Sequence, residues 1–121
     1  MGKNTVTEKI VSFRDLEVWR ESHALVLDIY ALTHKLPAGE RFGLSSQMRR
    51  AGVSVPANIA EGFKRKGKSD KCNFYNMAAA SLEEVRYYLI LVKDLGYIKD
   101  VGALEGSALT LRECLRALPN R

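Results

Sequence analysis

Apolar residues recur at helical spacing in four stretches of this 121-residue chain, and that periodicity limits its possible folds more than any other feature. In the last stretch the apolar positions step by four, three, four and three: Leu104, Ala108, Leu111, Leu115 and Leu118. No stretch alternates apolar and polar residues for long enough to predict a strand. Short connections between successive helices favour antiparallel neighbours. The sequence therefore predicts an all-α fold, an up-down-up-down antiparallel four-helix bundle.

Proline and glycine residues punctuate the chain and set the expected limits of each helix. Residues 1–12 show no periodicity, so they are predicted to form a flexible tail before a bundle domain of residues 13–121. Gly67 and Gly96 are expected in the turns that follow the second and third helices. The four predicted helices run from a cap at Asp15 to about Leu36, from Ser45 or Ser46 to residues 63–66, from a cap at Ser69 or Asp70 to Leu95, and from Asp100 to just before Pro119.

Composition excludes several classes of protein. With 46% hydrophobic and 27% charged residues, the chain is predicted to be folded and not embedded in a membrane. Its longest unbroken apolar run, residues 87–92, is far shorter than the roughly 20 residues of a spanning helix. The first residues lack the apolar core of a signal peptide, so a cytoplasmic location is expected. Cys72, Cys114 and two histidines offer little for a zinc site or a disulfide framework, and no metal or other cofactor is predicted.

Positive charge is concentrated in one part of the chain. Residues 35–71 contain nine basic and three acidic residues, a net charge of +6, whereas the whole chain carries +5. A localised basic segment is typical of proteins that bind a polyanion such as RNA or DNA, although a charged run can also be an ordinary solvated loop. The predicted phosphate contacts are the bases on the second helix and in the turn that follows it: Arg49, Arg50, Lys64, Arg65, Lys66, Lys68 and Lys71.

The second predicted helix contains a proline in its interior and a polar stripe on one face. Pro56 removes a backbone donor and crowds the carbonyl of Gly52, so a kink is expected there. The stripe is compatible with two roles, a solvated face carrying an ordinary surface ion pair or a recognition face for phosphates and a partner. Its members are four, four, three and four residues apart: Arg50, Ser54, Asn58, Glu61 and Arg65.

The first and third helices carry more apolar residues than one core face requires, which favours contact with another subunit and hence a homo-oligomer. The alternative is that a central helix touches two neighbours within one bundle. On the third helix, Tyr87, Ile90 and Leu91 are predicted to point away from the core. Its predicted core face is Phe74, Met77, Ala78, Ser81, Val85, Tyr88 and Val92. On the first helix one stripe is Leu16, Trp19, Val26, Leu27 and Tyr30, and the other is Val18, Leu25, Ile29, Leu32 and Leu36.

Most of the chain resembles a known bacterial family. The central string is FGLSSQMRRAGVSVPANIAEG at residues 42–62, accompanied by FRDLEVW at 13–19, SLEE at 81–84 and LGYI at 95–98. Over roughly residues 13–118 the chain is similar to the four-helix-bundle proteins first met as reading frames in intervening sequences of 23S ribosomal RNA genes. Gly52 and Val55 stand where that family usually has alanine and isoleucine. The family motif falls here on Arg49, Arg50, Ser54, Pro56, Asn58, Glu61 and Gly62.

The resemblance implies a four-helix bundle that assembles as a homopentamer, with a positive surface proposed to meet nucleic acid and no established enzymatic activity. The accessory protein of diversity-generating retroelements looks like a distant relative, and it binds a reverse transcriptase and structured RNA. Two non-enzymatic functions are therefore expected. The first is binding of RNA or DNA through the basic surface, and the alternative is a scaffold for a protein partner such as a reverse transcriptase.

Two further hypotheses concern single side chains. Tyr75, just after the basic turn, is expected to pack in the core, with stacking on a base as the alternative. A metal-dependent nuclease that uses Glu61, Glu83 or Glu84 is disfavoured. Adjacent residues on a helix diverge by about 100°, so Glu83 and Glu84 do not chelate one ion together, and Glu61 has Arg65 four residues away. No catalytic residue is therefore predicted.

Overall fold

The computed structural model describes residues 10–118, and within them the chain forms four α-helices and two short 3₁₀ turns. The predicted tail lies mostly outside this range, in residues 1–9. The 3₁₀ turns are Phe13–Asp15 and Ala38–Glu40. The helices are α1 (Glu17–Thr33), α2 (Leu44–Lys64), α3 (Lys68–Asp94) and α4 (Gly102–Ala117).

The four helices pack antiparallel around one core, which confirms the predicted bundle. Helix α1 packs against α2 and α4, and α3 packs against the same two helices. Side chains from all four elements are completely enclosed at the centre, among them Ile29, Met48, Leu82 and Leu111. In the described range no helix is long and apolar enough to cross a bilayer.

The predicted cap of α1 is wrong, because Asp15 belongs to the preceding 3₁₀ turn. Ser12 Oγ accepts a hydrogen bond from the Arg14 N–H at 3.0 Å, and the Asp15 carboxylate accepts from the N–H groups of Val11 and Ser12. These backbone donors lower the pKa of Asp15. Helix α1 then starts after Leu16, which provides no side-chain cap. The chain thus forms a reciprocal capping box one turn earlier than expected.

The predicted caps of α3 are also wrong. Helix α3 starts at Lys68 with Gly67 as the capping residue, so Ser69 and Asp70 lie inside its first turn. The connection from α2 consists only of residues 65–67. Because this connection is so short, Lys64, Lys66 and Lys68 are held close together at one end of the bundle.

The end of α3 agrees with the expectation for Gly96. This glycine has φ +79°, and its N–H donates to the Lys93 carbonyl at 3.0 Å, while the Tyr97 N–H reaches back to Val92 at 3.0 Å. That pair of bonds closes the helix with a left-handed residue, the conformation for which glycine carries no steric penalty. Helix α4 begins at Gly102, whose N–H donates to Asp100 Oδ1 at 2.9 Å, two residues after the predicted start.

The core face of α3 differs from the prediction by a rotation about the helix axis. Met77, predicted as core, is 45% exposed, whereas Leu82 and Leu89 are fully buried. The rotation has a physical cause. Ser81 bonds to Ser54 of α2 and Tyr88 bonds to Glu84 of α3, so this side of α3 is polar and only half-buried. The buried residues of α3 are Tyr75, Ala78, Leu82, Val85, Leu89 and Val92.

The expectation of apolar residues outside the core is confirmed in part. Tyr87 is 57% exposed and Ile90 is also exposed, but Leu91 is half-buried and packs against the core. The stripe from Val18 to Leu36 forms the core side, although α1 ends at Thr33, before the predicted end at Leu36. Of the other stripe, Leu27 and Tyr30 are exposed, Leu16 and Trp19 are half-buried, and Val26 is buried.

Candidate nucleic-acid interface

Three lysines at the α2–α3 turn are the part of the predicted basic surface whose charges are free to meet a phosphate. Lys64 ends α2, Lys66 lies in the connection and Lys68 begins α3, and all three side chains are exposed. Within residues 10–118 none of them makes an ion pair or a side-chain hydrogen bond. Like charges this close raise the local positive potential, which favours a polyanion. We call this group the turn lysines.

Arg65 lies among the turn lysines, but its guanidinium already contacts two neighbouring side chains. Its Nη2 donates to Glu61 Oε1 at 3.1 Å, in the expected i, i+4 arrangement, and its guanidinium lies 4.6 Å from the centre of the Phe74 ring. The side chain nevertheless remains 44% exposed. An exposed ion pair of this kind contributes little stability, so Arg65 retains a charge that a phosphate can approach.

Lys71 has a structural role that the sequence did not indicate. Its Nζ donates to the carbonyls of Gly62 at 3.2 Å and Phe63 at 2.8 Å, and it lies 5.5 Å from the centre of the Phe63 ring. Carbonyls at the end of a helix lack intrahelical partners and carry partial negative charge. Lys71 therefore caps α2 from the first turn of α3 and offers less of its charge to a phosphate.

Arg49 is separated from the turn lysines. Arg49 and Lys64 are fifteen positions apart on α2, a rise of roughly 22 Å. Its Nε donates to Thr33 Oγ1 at 2.8 Å, and its guanidinium lies 4.5 Å from the centre of the Tyr30 ring. Arg49 therefore joins α2 to α1, and the structure does not place it in one site with the turn lysines.

Arg50 is likewise distant from the turn and is bound to α3. Its guanidinium pairs with the Glu84 carboxylate and also donates to Gln47 Oε1 at 3.0 Å. The Tyr88 hydroxyl donates to the same Glu84 oxygen at 2.5 Å, and this bond raises the pKa of Tyr88. The predicted set of seven phosphate contacts thus divides into a corner around the turn and two arginines that link helices.

Ser54 and Asn58, from the polar stripe of the motif, join α2 to α3. Asn58 Nδ2 donates to the Ser54 carbonyl at 2.8 Å and to Ser54 Oγ at 2.9 Å. Ser81 Oγ lies 2.8 Å from Ser54 Oγ across the interface. These contacts favour a structural role for this part of the stripe over direct recognition of a partner.

Close packing against α3 explains why the motif has glycine at position 62. A Cβ added at Gly62 would lie 2.6 Å from Tyr75 Cε1 and 3.1 Å from Phe74 Cβ, so only glycine fits without movement. Tyr75 itself is 6% exposed, and its burial raises the pKa of its hydroxyl. The alternative that Tyr75 stacks on a base is therefore wrong in this arrangement. Pro56 is buried within α2, which continues through it from Leu44 to Lys64.

The carboxylates considered for a nuclease lie in separate ion pairs. Glu61 pairs with Arg65, Glu84 with Arg50, and Glu83 with Arg86 at 2.7 Å. In the described part of the chain no three histidine, cysteine, aspartate or glutamate side chains come together as a possible metal site. The Arg50–Glu84 pair joins α2 to α3, whereas Glu61–Arg65 and Glu83–Arg86 are pairs within one helix.

We call the turn lysines and Arg65 together the basic corner, and residues that precede the basic segment 35–71 lie beside it. The 3₁₀ turn brings Val11 and Phe13 against the end of α2, where they line a groove together with Phe63 and Lys64. Arg14 follows Phe13 and is exposed. The sequence contained a signal for this turn, the Ser-x-x-Asp pattern at residues 12–15, which is typical of a capping box.

Comparison with known proteins agrees with this architecture. The family model described as 23S rRNA-intervening sequence protein matches residues 14–117. A crystal structure from Bacteroides thetaiotaomicron, of a protein with unknown function from the S23 ribosomal protein family, superposes with a TM-score of 0.78 at 24% identity, over 86% of this chain and 99% of that chain. No curated protein matches. The chain therefore belongs to the 23S rRNA-intervening sequence protein family.

Proposed function

We propose that this protein binds nucleic acid through the phosphate backbone, using the basic corner at the α2–α3 turn, and that it acts without catalysis. The observation that carries the proposal is the exposure of Lys64, Lys66 and Lys68 with no acidic partner among residues 10–118. Arg65 adds a fourth cation beside them. Contacts of this type position a backbone without reading its sequence.

The short connection between α2 and α3 supports the proposal. Loops carry binding residues most effectively when rigid elements position them. Here the turn lysines sit on or between two helices that pack closely, and Lys71 ties the end of α2 to the start of α3. The cations thus meet a phosphate backbone with little loss of backbone freedom on binding.

The test is a titration of a labelled RNA stem-loop and a DNA duplex with protein, followed by fluorescence anisotropy between about 50 and 200 mM salt. Affinity is expected to fall steeply with salt. Combined replacement of Lys64, Lys66 and Lys68 by glutamine is expected to weaken binding and to make the slope of log K against log salt shallower by roughly two to three.

A matched control removes the same charge at the other end of the bundle. Lys35 follows the C-terminal end of α1, Lys93 lies in the last turn of α3, and Lys99 follows that helix. All three side chains are exposed. Their combined replacement by glutamine is expected to leave most of the affinity and most of the slope. Equal losses in the two triple variants would refute a localised site, and binding that ignores salt would refute the backbone mechanism.

Assembly into a homo-oligomer is part of the same proposal, five being the number of subunits that the family resemblance implies. Its support is exposed apolar surface on α3 and at its C-terminal cap, with Met77, Tyr87, Ile90 and Leu95. Exposed apolar clusters on a small domain favour protein contact. Light scattering after size exclusion is expected to give a mass of several subunits. Tyr87→Glu should lower that mass more than Leu109→Glu, a control at an exposed position of α4. A monomeric wild-type protein would overturn this part.

The same apolar surface favours a second candidate function, a scaffold for a protein partner such as a reverse transcriptase. A pull-down with a reverse transcriptase before and after nuclease treatment separates the two functions. Capture that survives the nuclease and is lost in Tyr87→Glu would favour the scaffold. Capture that disappears with the nucleic acid would favour the first proposal.

A further inference from the structure

A groove at the basic corner has a composition that simple phosphate binding does not require. It lies between the N-terminal 3₁₀ turn and the last turn of α2, and its volume is about 570 Å³. Val11, Phe13, Ala60 and Phe63 supply apolar walls, and Lys64 and Arg65 supply cations. Apolar area beside charge is typical of sites that hold a flat, uncharged ring while a neighbouring anion is neutralised.

Aromatic rings accompany this groove on the side of α1. The Phe13 ring meets Trp19 edge to face, with centroids 5.0 Å apart, and Trp19 stacks on His23 at 5.3 Å with an interplanar angle of 5°. Within the groove, Phe13 and Phe63 place aromatic rings beside Lys64 and Arg65, the combination on which single-stranded nucleic acids stack their bases. Bases within a duplex are already stacked on one another and do not enter such a groove.

Glu61 lies in the same groove, although a carboxylate repels phosphate. One of its oxygens, Oε1, is 3.1 Å from Arg65 Nη2, while Oε2 makes no hydrogen bond within residues 10–118. A carboxylate oxygen accepts hydrogen bonds from the exocyclic amino group of a base such as cytosine. The groove therefore offers a partner to each part of a nucleotide, with cations for the phosphate and a ring site with a hydrogen-bond acceptor for the base.

We propose that the groove lined by Phe13, Ala60, Glu61 and Phe63 receives an unpaired base, so that the preferred ligand is a single-stranded or looped nucleic acid and not a continuous duplex. The proposal rests on the proposed function, because the turn lysines supply the charge that brings the strand to the groove. Charge complementarity selects a polyanion as the occupant.

The experiment fills the groove without removing charge or an aromatic ring. In Ala60→Phe the new side chain occupies the groove, and in the matched control Ala57→Phe the same side chain is placed on exposed α2 surface three residues earlier. Oligocytidylate strands of about 12 nucleotides, one RNA and one DNA, and a duplex of equal length are titrated with each protein. Trp19, the only tryptophan, reports on the groove by its fluorescence, and circular dichroism melts verify folding.

The wild type is expected to bind single strands more tightly than the duplex and to change its Trp19 emission only with single strands. Ala60→Phe should weaken single-strand binding at least about fivefold and leave duplex binding within about twofold, whereas Ala57→Phe should change neither. Similar RNA and DNA affinities would show that the base site ignores the sugar, and a preference for RNA would add a 2′-hydroxyl contact to the same site.

Two outcomes overturn the inference and differ in what they leave standing. Equal affinity for strands and duplex, with no effect of Ala60→Phe, would refute the base site while the proposed backbone binding survives. Absence of salt-dependent binding to every probe would refute both, and the protein-scaffold function would then take their place. Should Ala60→Phe fail to fold, Glu61→Ala replaces it, with loss of oligocytidylate affinity supporting the site and unchanged affinity refuting it.

Discussion

The α2–α3 half of the bundle and the α1–α4 half are held together by different means. Between α2 and α3, glycine allows close approach at Tyr75, and polar side chains bond across the interface at Ser54 and Ser81. Between α1 and α4 lies an open groove of about 540 Å³, whose small residues include Ala24 and Gly106. The half that carries the family motif is thus the closely packed one, and the basic corner is built at its end.

The comparison indicates that the motif residues mainly form a helix–helix interface. Ser54, Asn58 and Gly62 each face α3 or bond to a group that does. The basic corner acquires its geometry from that interface, since Lys71 of α3 holds the last carbonyls of α2. Four substitutions test the contrast, in order of decreasing expected effect.

Gly62→Ala is expected to destabilise the fold most, by about 2–3 kcal/mol, because its Cβ would meet the buried Tyr75 ring at 2.6 Å. Urea unfolding followed by circular dichroism measures the change. Gly52→Ala is the comparison, since the one close contact of its Cβ would be the terminal Cδ1 of Ile29, at 2.8 Å, and that methyl can move. Equal losses in the two variants would contradict the tight contact proposed for α2 and α3.

Ser81→Ala should cost about 1 kcal/mol, because it leaves Ser54 without its partner across the interface. Ser107→Ala, in the α1–α4 groove, serves as the control and is expected to change stability by less than about 0.5 kcal/mol. A double-mutant cycle with Ser54→Ala is expected to show coupling. Strictly additive losses would mean that the hydroxyl pair contributes nothing across the interface.

Gly106→Ala should stabilise the protein by roughly 0.5–1 kcal/mol, the opposite sign to Gly62→Ala. Position 106 is within α4, and an added Cβ there meets nothing within 4 Å. The helix propensity of alanine is therefore gained without crowding. A loss of stability, measured as a lower urea midpoint, would show that the α1–α4 groove is closed in solution, for example by another subunit.

Glu21→Gln is expected to have the smallest effect, a slight stabilisation at pH 7. Burial, followed by the neighbouring Glu17 carboxylate, raises the pKa of Glu21 above 4.5. A raised carboxyl pKa means that the charged form is less favourable in the folded state, so the wild type gains stability as pH falls through that pKa. The higher free energy of unfolding of the variant, measured with urea, should therefore disappear below about pH 4.5. A difference independent of pH would contradict the unfavourable charge of Glu21 as its cause.

Much of the architecture was predictable because it depends on local pattern. The four helices and the turn at Gly96 follow from the spacing of apolar residues and from the ease with which glycine adopts positive φ. Helix starts were less predictable, since Asp15 could cap either α1 or an earlier turn, and Ser12 decided between these options. The charge of the basic segment was equally visible in the sequence.

The candidate site was predictable only in part, because a charge on a helix can be used by any neighbour within reach. Arg49 and Arg50 matched the pattern of phosphate contacts as well as Lys64 did, but Thr33 and Glu84 engage them. The groove at Phe13 joins residues about fifty positions apart in the chain. No local pattern indicates that proximity.

The sequence by itself determined the number of helices, the antiparallel bundle, the family and the presence of a basic segment. Tertiary structure alone decided which face of α3 enters the core, which cations remain exposed and which residues line the groove. The physical reason is the range of each interaction. Helical periodicity and turn chemistry act over a few residues, whereas burial and ion pairing depend on the side chains that another helix presents.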